Sequence, residues 1–220
     1  AAIAAGLVTA DGKVIAKPSE PLSRTASIQS EAAHPYVSRG GLKLARALEV
    51  FSVNPAGLTC LDLGASTGGF TDVLLRAGAA HVTCVDVGHG QLHEKIAADP
   101  RVISHERLNA KALTLDHLAA PPQVIVCDLS FVSLTKVLDV PLALAAPQAT
   151  LIALFKPQFE VGPDNVGKGG LVTDAHATDT ALGAFLTYLM SKGWRVEAPQ
   201  PSPIPGGDGN REWLICARQI

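Results

Sequence analysis

Two sets of residues could do chemistry in this chain: carboxylates beside a glycine-rich turn, and lysines near them in the same or neighbouring segments. The segment LDLGASTGGF (61–70) follows an apolar run and leads into a helical pattern, so Gly64, Gly68 and Gly69 would let backbone approach a ligand closely. Asp86 closes the next apolar run 22 residues after Gly64, the spacing at which a carboxylate meets ribose hydroxyls in nucleotide sites. A dinucleotide site would need GxGxxG, but here Gly64 is followed by Gly68 and Gly69. The short-chain dehydrogenase spacing would need glycine where Phe70 stands. Its YxxxK motif is matched by Tyr188 and Lys192, but the serine required upstream is Ala175. A phosphate loop is suggested by Gly162, Gly167 and Lys168, yet Gly169 replaces the magnesium-binding Ser/Thr and no helix opens there. S-adenosylmethionine asks for an acid before the glycine turn, an acid at the second strand end and a polar residue at the fourth. Asp62, Asp86 and Asp128 supply all three. The expected cofactor wall is therefore Asp62, Gly64, Ala65, Ser66, Thr67, Gly68, Gly69 and Phe70, with Asp86, Val87 and Asp128. Glu106 and Asn109 are candidates for the adenosine end.

The elements that must position these residues alternate in type. Strands are expected at 58–63, 81–87, 101–105, 123–129, 149–155, 194–198 and 212–218. Helices are expected at 42–51, 69–77, about 134–144 and 175–191. Short, almost wholly apolar strands separated by helices imply a parallel sheet covered on both faces, and the last two strands suggest an antiparallel pair at its edge. This is a doubly wound α/β domain, with ligands expected beyond the carboxyl ends of the strands. Ahead of it, Asp11-Gly12 between alternating runs predicts a β-hairpin, preceded by the end of a helix, over residues 1–17. Residues 18–36, rich in Pro, Ser, Thr and Ala, read as a linker, and residues 37–220 as the main domain.

Composition limits the alternatives. A chain of 220 residues that is 47% hydrophobic can bury a full core. Its longest apolar stretch, 140–155, is broken by Pro141, Pro147 and Gln148 and is shorter than the ~18–20 residues a membrane span needs, so a soluble protein is expected. Four cysteines without a CxxC pair read as buried, reduced side chains of a cytoplasmic protein. Net charge is −2, so any nucleic-acid contact must come from a local patch. The first fifty residues hold six Lys/Arg against four acids, whereas the remainder holds 12 against 16, placing the positive excess at the amino-terminal end.

SRGGLKL (38–44), LDLGASTGGFTD (61–72), VDVGHGQL (85–92), CDLSFVSL (127–134), LFKPQFE (154–160), VGKGG (166–170) and NREWL (210–214) together make the chain resemble the TlyA, or hemolysin-A-like, family of FtsJ-type ribosomal RNA 2′-O-methyltransferases. The resemblance runs through essentially the whole chain in order. It implies a Rossmann-like class I S-adenosylmethionine-dependent methyltransferase fold and rRNA (cytidine-2′-O)-methyltransferase activity. It also implies a catalytic tetrad at Lys43, Asp128, Lys156 and Glu212. Family members carry an amino-terminal RNA-binding domain of the type found in ribosomal protein S-four, and residues 1–17 match only its last helix turn and hairpin. Ribosomal RNA or assembled subunits are the implied partner, with Lys13, Arg39, Arg46 and Lys168 as candidate RNA contacts.

Methyl transfer displaces a leaving group at an electrophilic methyl, so an enzyme must align a ribose hydroxyl and make it more nucleophilic. Lys156 could do so as a base, with Lys43 as the nearby cation that helps it shed a proton, or by steering the hydroxyl with its N–H groups. Asp128 and Glu212 would orient the two ammonium groups. For isolated residues the plain alternative is a surface salt bridge. Amino-group methylation usually places two prolines after the fourth-strand acid, which DLSF (128–131) lacks. Carbon-5 pyrimidine chemistry needs a nucleophilic thiol, but Cys127 should face away from Asp128 in a strand. His89 and His93 lack a third metal ligand, and no metal is expected. A membrane-active hemolysin, or an RNA-binding protein with an inactive catalytic domain, are the competing functions. The 162–170 segment reads as a mobile flap over cofactor or RNA, with an ordinary surface loop as the plain alternative.

Overall fold

A computed structural model describes residues 2–3, 6–30 and 34–220, and the chain divides into two compact units, Ala1–Pro35 and Tyr36–Ile220. In the first, β1 (Val8–Ala10) and β2 (Lys13–Val14) pair antiparallel around Asp11 and Gly12, both at positive φ, as the Asp-Gly pair predicts. The expected helix end rests largely on residues 1, 4 and 5, outside the described residues; Gly6 N–H closes a turn on Ile3 O at 3.0 Å. The stretch expected to be a linker contains a third strand, β3 (Ile28–Ser30), antiparallel to β1, with Ser27 N–H donating to Asp11 Oδ1 at 2.9 Å. All three β3 residues are exposed, so no buried alternation marks the strand in the sequence.

The second unit opens with α1 (Gly40–Val50), then β4 (Thr59–Leu63), α2 (Gly69–Arg76), β5 (His81–Asp86), α3 (Glu94–Ala97) and β6 (Val102–Glu106). It continues through β7 (Val124–Cys127), α4 (Asp139–Ala143), β8 (Thr150–Phe155), α5 (Pro157–Glu160) and α6 (Ala175–Ser191). It ends with β9 (Trp194–Val196), β10 (Gln200–Pro201) and β11 (Trp213–Gln219). The strands form one sheet in the order β6-β5-β4-β7-β8-β11, with β9 and β10 both on the far side of β11. β4, β5, β6, β7 and β8 run parallel to one another, and β11 is antiparallel to β8. The antiparallel pairing of β9 with β11 matches expectation, but β11 lies inside the sheet and β9 and β10 form its margin.

Strand alternation sorts the core onto the two faces. Cys60, Val82, Val124 and Ile152 pack with Leu44, Ala47 and Phe51 of α1 and Phe70, Val73 and Leu74 of α2. Leu61, Ile125, Leu151 and Phe155 pack with Phe185 and Leu189 of α6 and with Trp194. α6 begins where Asp174 Oδ1 accepts from His176 and Ala177 N–H, so its boundaries follow its cap. The helix expected over 134–144 is instead a 3₁₀ turn, Leu134–Lys136, followed by α4. Pro141 accounts for the break, because its ring crowds the carbonyl four residues back, at Val137.

The strand order reverses between β4 and β7, and the crevice at that switch point is where an open α/β sheet receives its ligand. Two lengths of chain converge there: the loop between β4 and α2, and the loop after β7.

Candidate active site

β4 ends at Leu63, and Gly64 turns the chain with φ +79°, a conformation that favours glycine. Gly68, at φ +88°, precedes the first residue of α2, and a Cβ there would press on Leu92 and Ile96 near α3. The loop is braced from β5: Asp86 Oδ2 accepts from Ser66 N–H at 2.8 Å and Oδ1 from Gly88 N–H at 2.7 Å. Beneath it lies Asp62, 0% exposed, which accepts from Thr71 Oγ1 at 2.6 Å and leaves Oδ1 without a hydrogen-bond partner. Burial pushes the Asp62 carboxyl up to about 7; Thr71 opposes the shift and the charges of Asp128 and Asp86 add to it. Val37 N–H donates to Asp72 Oδ2 at 2.9 Å, tying the SRGG segment to α2.

Two cavities open along this loop. One, of about 420 Å³, is lined by Ser38, Arg39, Lys43, Thr67, Phe70 and Lys156 among others. The second, of about 600 Å³, is lined by Asp86, Val87, Leu108, Asn109, Phe131 and Val137 among others. Gly64, Ser66, Asp128 and Ser130 contribute to both walls, so the cavities meet at the ends of β4 and β7.

The four chemistry-bearing residues form two ion pairs at this junction. Lys43, on α1, donates from Nζ to Glu212 Oε2 at 2.5 Å, just before β11, and the two residues are 7% and 2% exposed. Burial raises the Glu212 carboxyl above its usual range, opposed by the hydrogen bond and charge of Lys43. Lys156, after β8, places Nζ 2.6 Å from Asp128 Oδ1, a charge contact whose angles fall outside those of a hydrogen bond, and donates to Ser130 Oγ at 2.9 Å. Such burial is unlike a solvated surface pair.

The other candidates separate by location. Ala65, Ser66, Thr67, Gly69 and Phe70 line the smaller cavity, whereas Asp62 and Gly68 stand behind the loop and reach neither main cavity wall. Glu106 accepts from Gly90 N–H and contacts His89 Nδ1 at 2.6 Å; it lines only a small space beside Asp86. Asn109 lines the larger cavity and caps the turn at Ala110–Ala112. Arg39 lines the smaller cavity, Lys168 is exposed in a 3₁₀ turn, and Arg46 pairs with Glu49 on the open side of α1. Lys13 is exposed in the first unit.

The near-miss motifs have ordinary structural partners. Tyr188 Oη donates to Asp139, which also pairs with Lys192. His93 Nδ1 accepts from Lys95 N–H, and among the described residues no three His, Cys, Asp or Glu side chains gather as metal ligands. Cys127 is fully buried, and burial pushes its thiol up. No described helix is long and apolar enough to cross a membrane.

Several contributors lay inside the quoted motifs but were given no role there. Ser130 touches Lys156, and Phe131 is 92% exposed at φ +65°. Asn210 donates from Nδ2 to Gly170 O at 2.7 Å and accepts from Val172 N–H at 2.9 Å, pinning the Gly-rich segment to the chain just before Glu212. The motif NREWL contained Asn210, but its partners lie about forty residues away.

The FtsJ-like methyltransferase family model matches residues 36–219, and the chain belongs to that family. It is 43% identical over 218 residues to the 16S/23S rRNA (cytidine-2′-O)-methyltransferase TlyA of Mycobacterium tuberculosis, covering 98% of this chain and 81% of that protein. It is 37% identical to Hemolysin A of Brachyspira hyodysenteriae, over 96% of this chain and 89% of that one. A solved structure described as a hemolysin, from Streptococcus thermophilus, superposes with a TM-score of 0.85 at 36% identity, covering 99% and 80% of the two chains.

Proposed function

We propose that this protein transfers a methyl group from S-adenosylmethionine to a ribose 2′-hydroxyl of ribosomal RNA, with cytidine as the modified nucleoside. The observation that carries this reading is the pair of lysine–carboxylate contacts at the junction of two cavities, beside a glycine loop at the switch point of the sheet. The residues present fit the cofactor. Gly64, Ser66 and Asp128 line both cavities, and Asp86, which closes β5 22 residues after Gly64, lines the larger one, while Asp62 braces the loop from behind through Thr71. When bound, S-adenosylmethionine supplies an electrophilic methyl group on a sulfonium centre.

The chain's own residues do the rest. Asp86, Val87 and Asn109 hold the adenosine side, while Gly64 to Phe70 frame the methionine side. Lys156, held between Asp128 and Ser130, retains donor capacity for a substrate oxygen. With Nζ 2.6 Å from Asp128 Oδ1 and donating to Ser130 Oγ, Lys156 is held in place to steer the hydroxyl and to stabilise charge developing on its oxygen. Lys43 and Glu212 close the opposite side, adding positive potential without leaving a bare buried charge.

Phe131 borders the same cavity as Asp86, Val87 and Asn109, but with 92% of its surface in solvent it stands at the rim, its outer side suited to stacking on an unpaired base. Arg39, Arg46 and Lys168 supply phosphate contacts, and Lys13 adds one from the first unit, which we assign as the remnant of an S-four-like RNA-binding domain. The first unit runs on through β3 to Pro35 and the methyltransferase domain begins at Tyr36; a ribosomal substrate supports a cytoplasmic location.

The test is transfer of labelled methyl from S-adenosylmethionine to unmodified ribosomal subunits, followed by nucleoside analysis. Label recovered as 2′-O-methylcytidine is expected. Label on a base, or none despite cofactor binding measured by calorimetry, would refute the reaction.

A further inference from the structure

The loop after β7 carries Asp128, Ser130 and Phe131, and it contains a conformation that needs an explanation. Phe131 sits at φ +65°, where an L side chain pays a steric penalty, with its ring almost wholly in solvent. An exposed phenylalanine gains little from burial there, so the neighbours must over-determine the backbone. Those neighbours are on α5. Both oxygens of Glu160 are committed to the loop: Oε2 accepts from Ser133 Oγ at 2.7 Å and Oε1 from Leu134 N–H at 2.8 Å. Phe159 places its ring 5.2 Å from that of Phe131, and Lys156 Nζ lies 6.0 Å from the Phe159 ring. A half-buried carboxylate therefore grips the chain two and three residues beyond the strained position, and an aromatic contact meets the strained side chain itself.

We propose that Glu160 is a positioning residue for the acceptor side of the site: it holds the 129–134 loop so that Phe131 stays in the left-handed conformation and its ring faces the incoming nucleotide. The inference rests on the reading of Phe131 as a base-stacking residue, but the restraint itself is a property of the folded chain. Relaxing the loop frees Phe131 to adopt an ordinary backbone conformation and carry its ring away; Leu129 to Val132 also border the cavity assigned to adenosine, so cofactor affinity is measured beside RNA affinity.

Two readouts separate the restraint from the reaction. The first is a stability cycle with Phe131→Gly made in the native and in the Glu160→Ala backgrounds, by urea unfolding. Glycine carries no penalty at positive φ, so its effect on the unfolding equilibrium should be more favourable, by about fivefold or more, where Glu160 enforces the strain. The added freedom of the unfolded chain is common to both backgrounds and cancels. The second is kinetics on ribosomal substrate. Glu160→Ala should raise KM for RNA about tenfold with cofactor Kd within twofold. Glu160→Gln, which keeps an acceptor for Leu134 N–H and an amide able to reach Ser133, should restore most of it. Equal effects of Phe131→Gly in both backgrounds overturn the restraint. An unchanged KM in Glu160→Ala, or a parallel loss of cofactor affinity, overturns its role in acceptor binding. If the native protein proves to lack methyl transfer, the stability cycle still decides whether Glu160 holds Phe131.

Discussion

Gly64 and Asp128 meet backbone to backbone: a Cβ on Gly64 would lie 2.6 Å from the carbonyl oxygen of Asp128. The ends of β4 and β7 can approach this closely only because residue 64 has no side chain, and its positive φ adds a second reason for glycine. Gly64→Ala should lower unfolding free energy by ~2 kcal/mol, from left-handed strain plus the forced separation of two strand ends. It should also weaken S-adenosylmethionine binding more than tenfold. Calorimetric titration of a variant that still folds checks this; native affinity would mean that the strand ends separate without disturbing the crevice.

Lys156→Ala should abolish methyl transfer while leaving cofactor affinity within a few-fold, because Nζ faces Asp128 and Ser130 rather than the residues assigned to the adenosine end. Single-turnover assays at saturating cofactor measure it. Full activity would remove Lys156 from the reaction.

The Lys43–Glu212 pair should separate stability from activity. Glu212→Gln strands a buried ammonium and should destabilise the protein by about 3 kcal/mol. Replacing both partners, as Lys43→Met with Glu212→Leu, removes the stranded charge and should recover most of that loss while leaving the enzyme inactive. Urea melts of the single and double variants, paired with methyl-transfer assays, test both halves. An active double variant would reduce the pair to scaffolding.

Asp62 makes a prediction about pH. Its carboxyl titrates near 7 in the fold against an ordinary 3.8, so the folded state binds the proton more tightly than the unfolded chain. The stabilisation from this proton is fully present below about pH 4 and is lost as pH rises through about 7. In Asp62→Asn, whose amide oxygen can still accept from Thr71, the fall in thermal midpoint between pH 5.5 and pH 8 should be smaller than in the native protein. An identical fall in both would assign that pH dependence elsewhere.

Most of the sheet was legible because its strands are apolar runs ended by glycine or charge, and α6 was legible to its terminal residues because Asp174 caps it and Gly193 follows it. β3 was hidden because an exposed three-residue strand leaves no alternation to read. The break before α4 could have been read from Pro141. The site divides in the same way. Gly64, Asp86 and Asp128 stand at spacings with a physical meaning, whereas Lys43 and Glu212 were reached through family resemblance, and which carboxylate pairs with which lysine is given only by the fold. Spacing alone left a surface salt bridge open, and burial of both groups is what distinguishes them. Ser130, Glu160 and Asn210 act through hydrogen bonds to residues 26 to 40 positions away, a relation with no period for a sequence pattern to carry.

The placement of β11 between β8 and the marginal strands bears on how the enzyme comes into being. Lys43 leaves the ribosome early, but its partner is 169 residues downstream. Until β11 emerges, β8 presents an open hydrogen-bonding edge and the lysine has no counter-ion. Both faces of the sheet also need β11, since Leu214 and Cys216 pack on one side of β4 and β7 and Ile215 and Ala217 on the other. The counter-ion of Lys43 and the cover for the edge of β8 thus come from one and the same stretch of chain, residues 212–218.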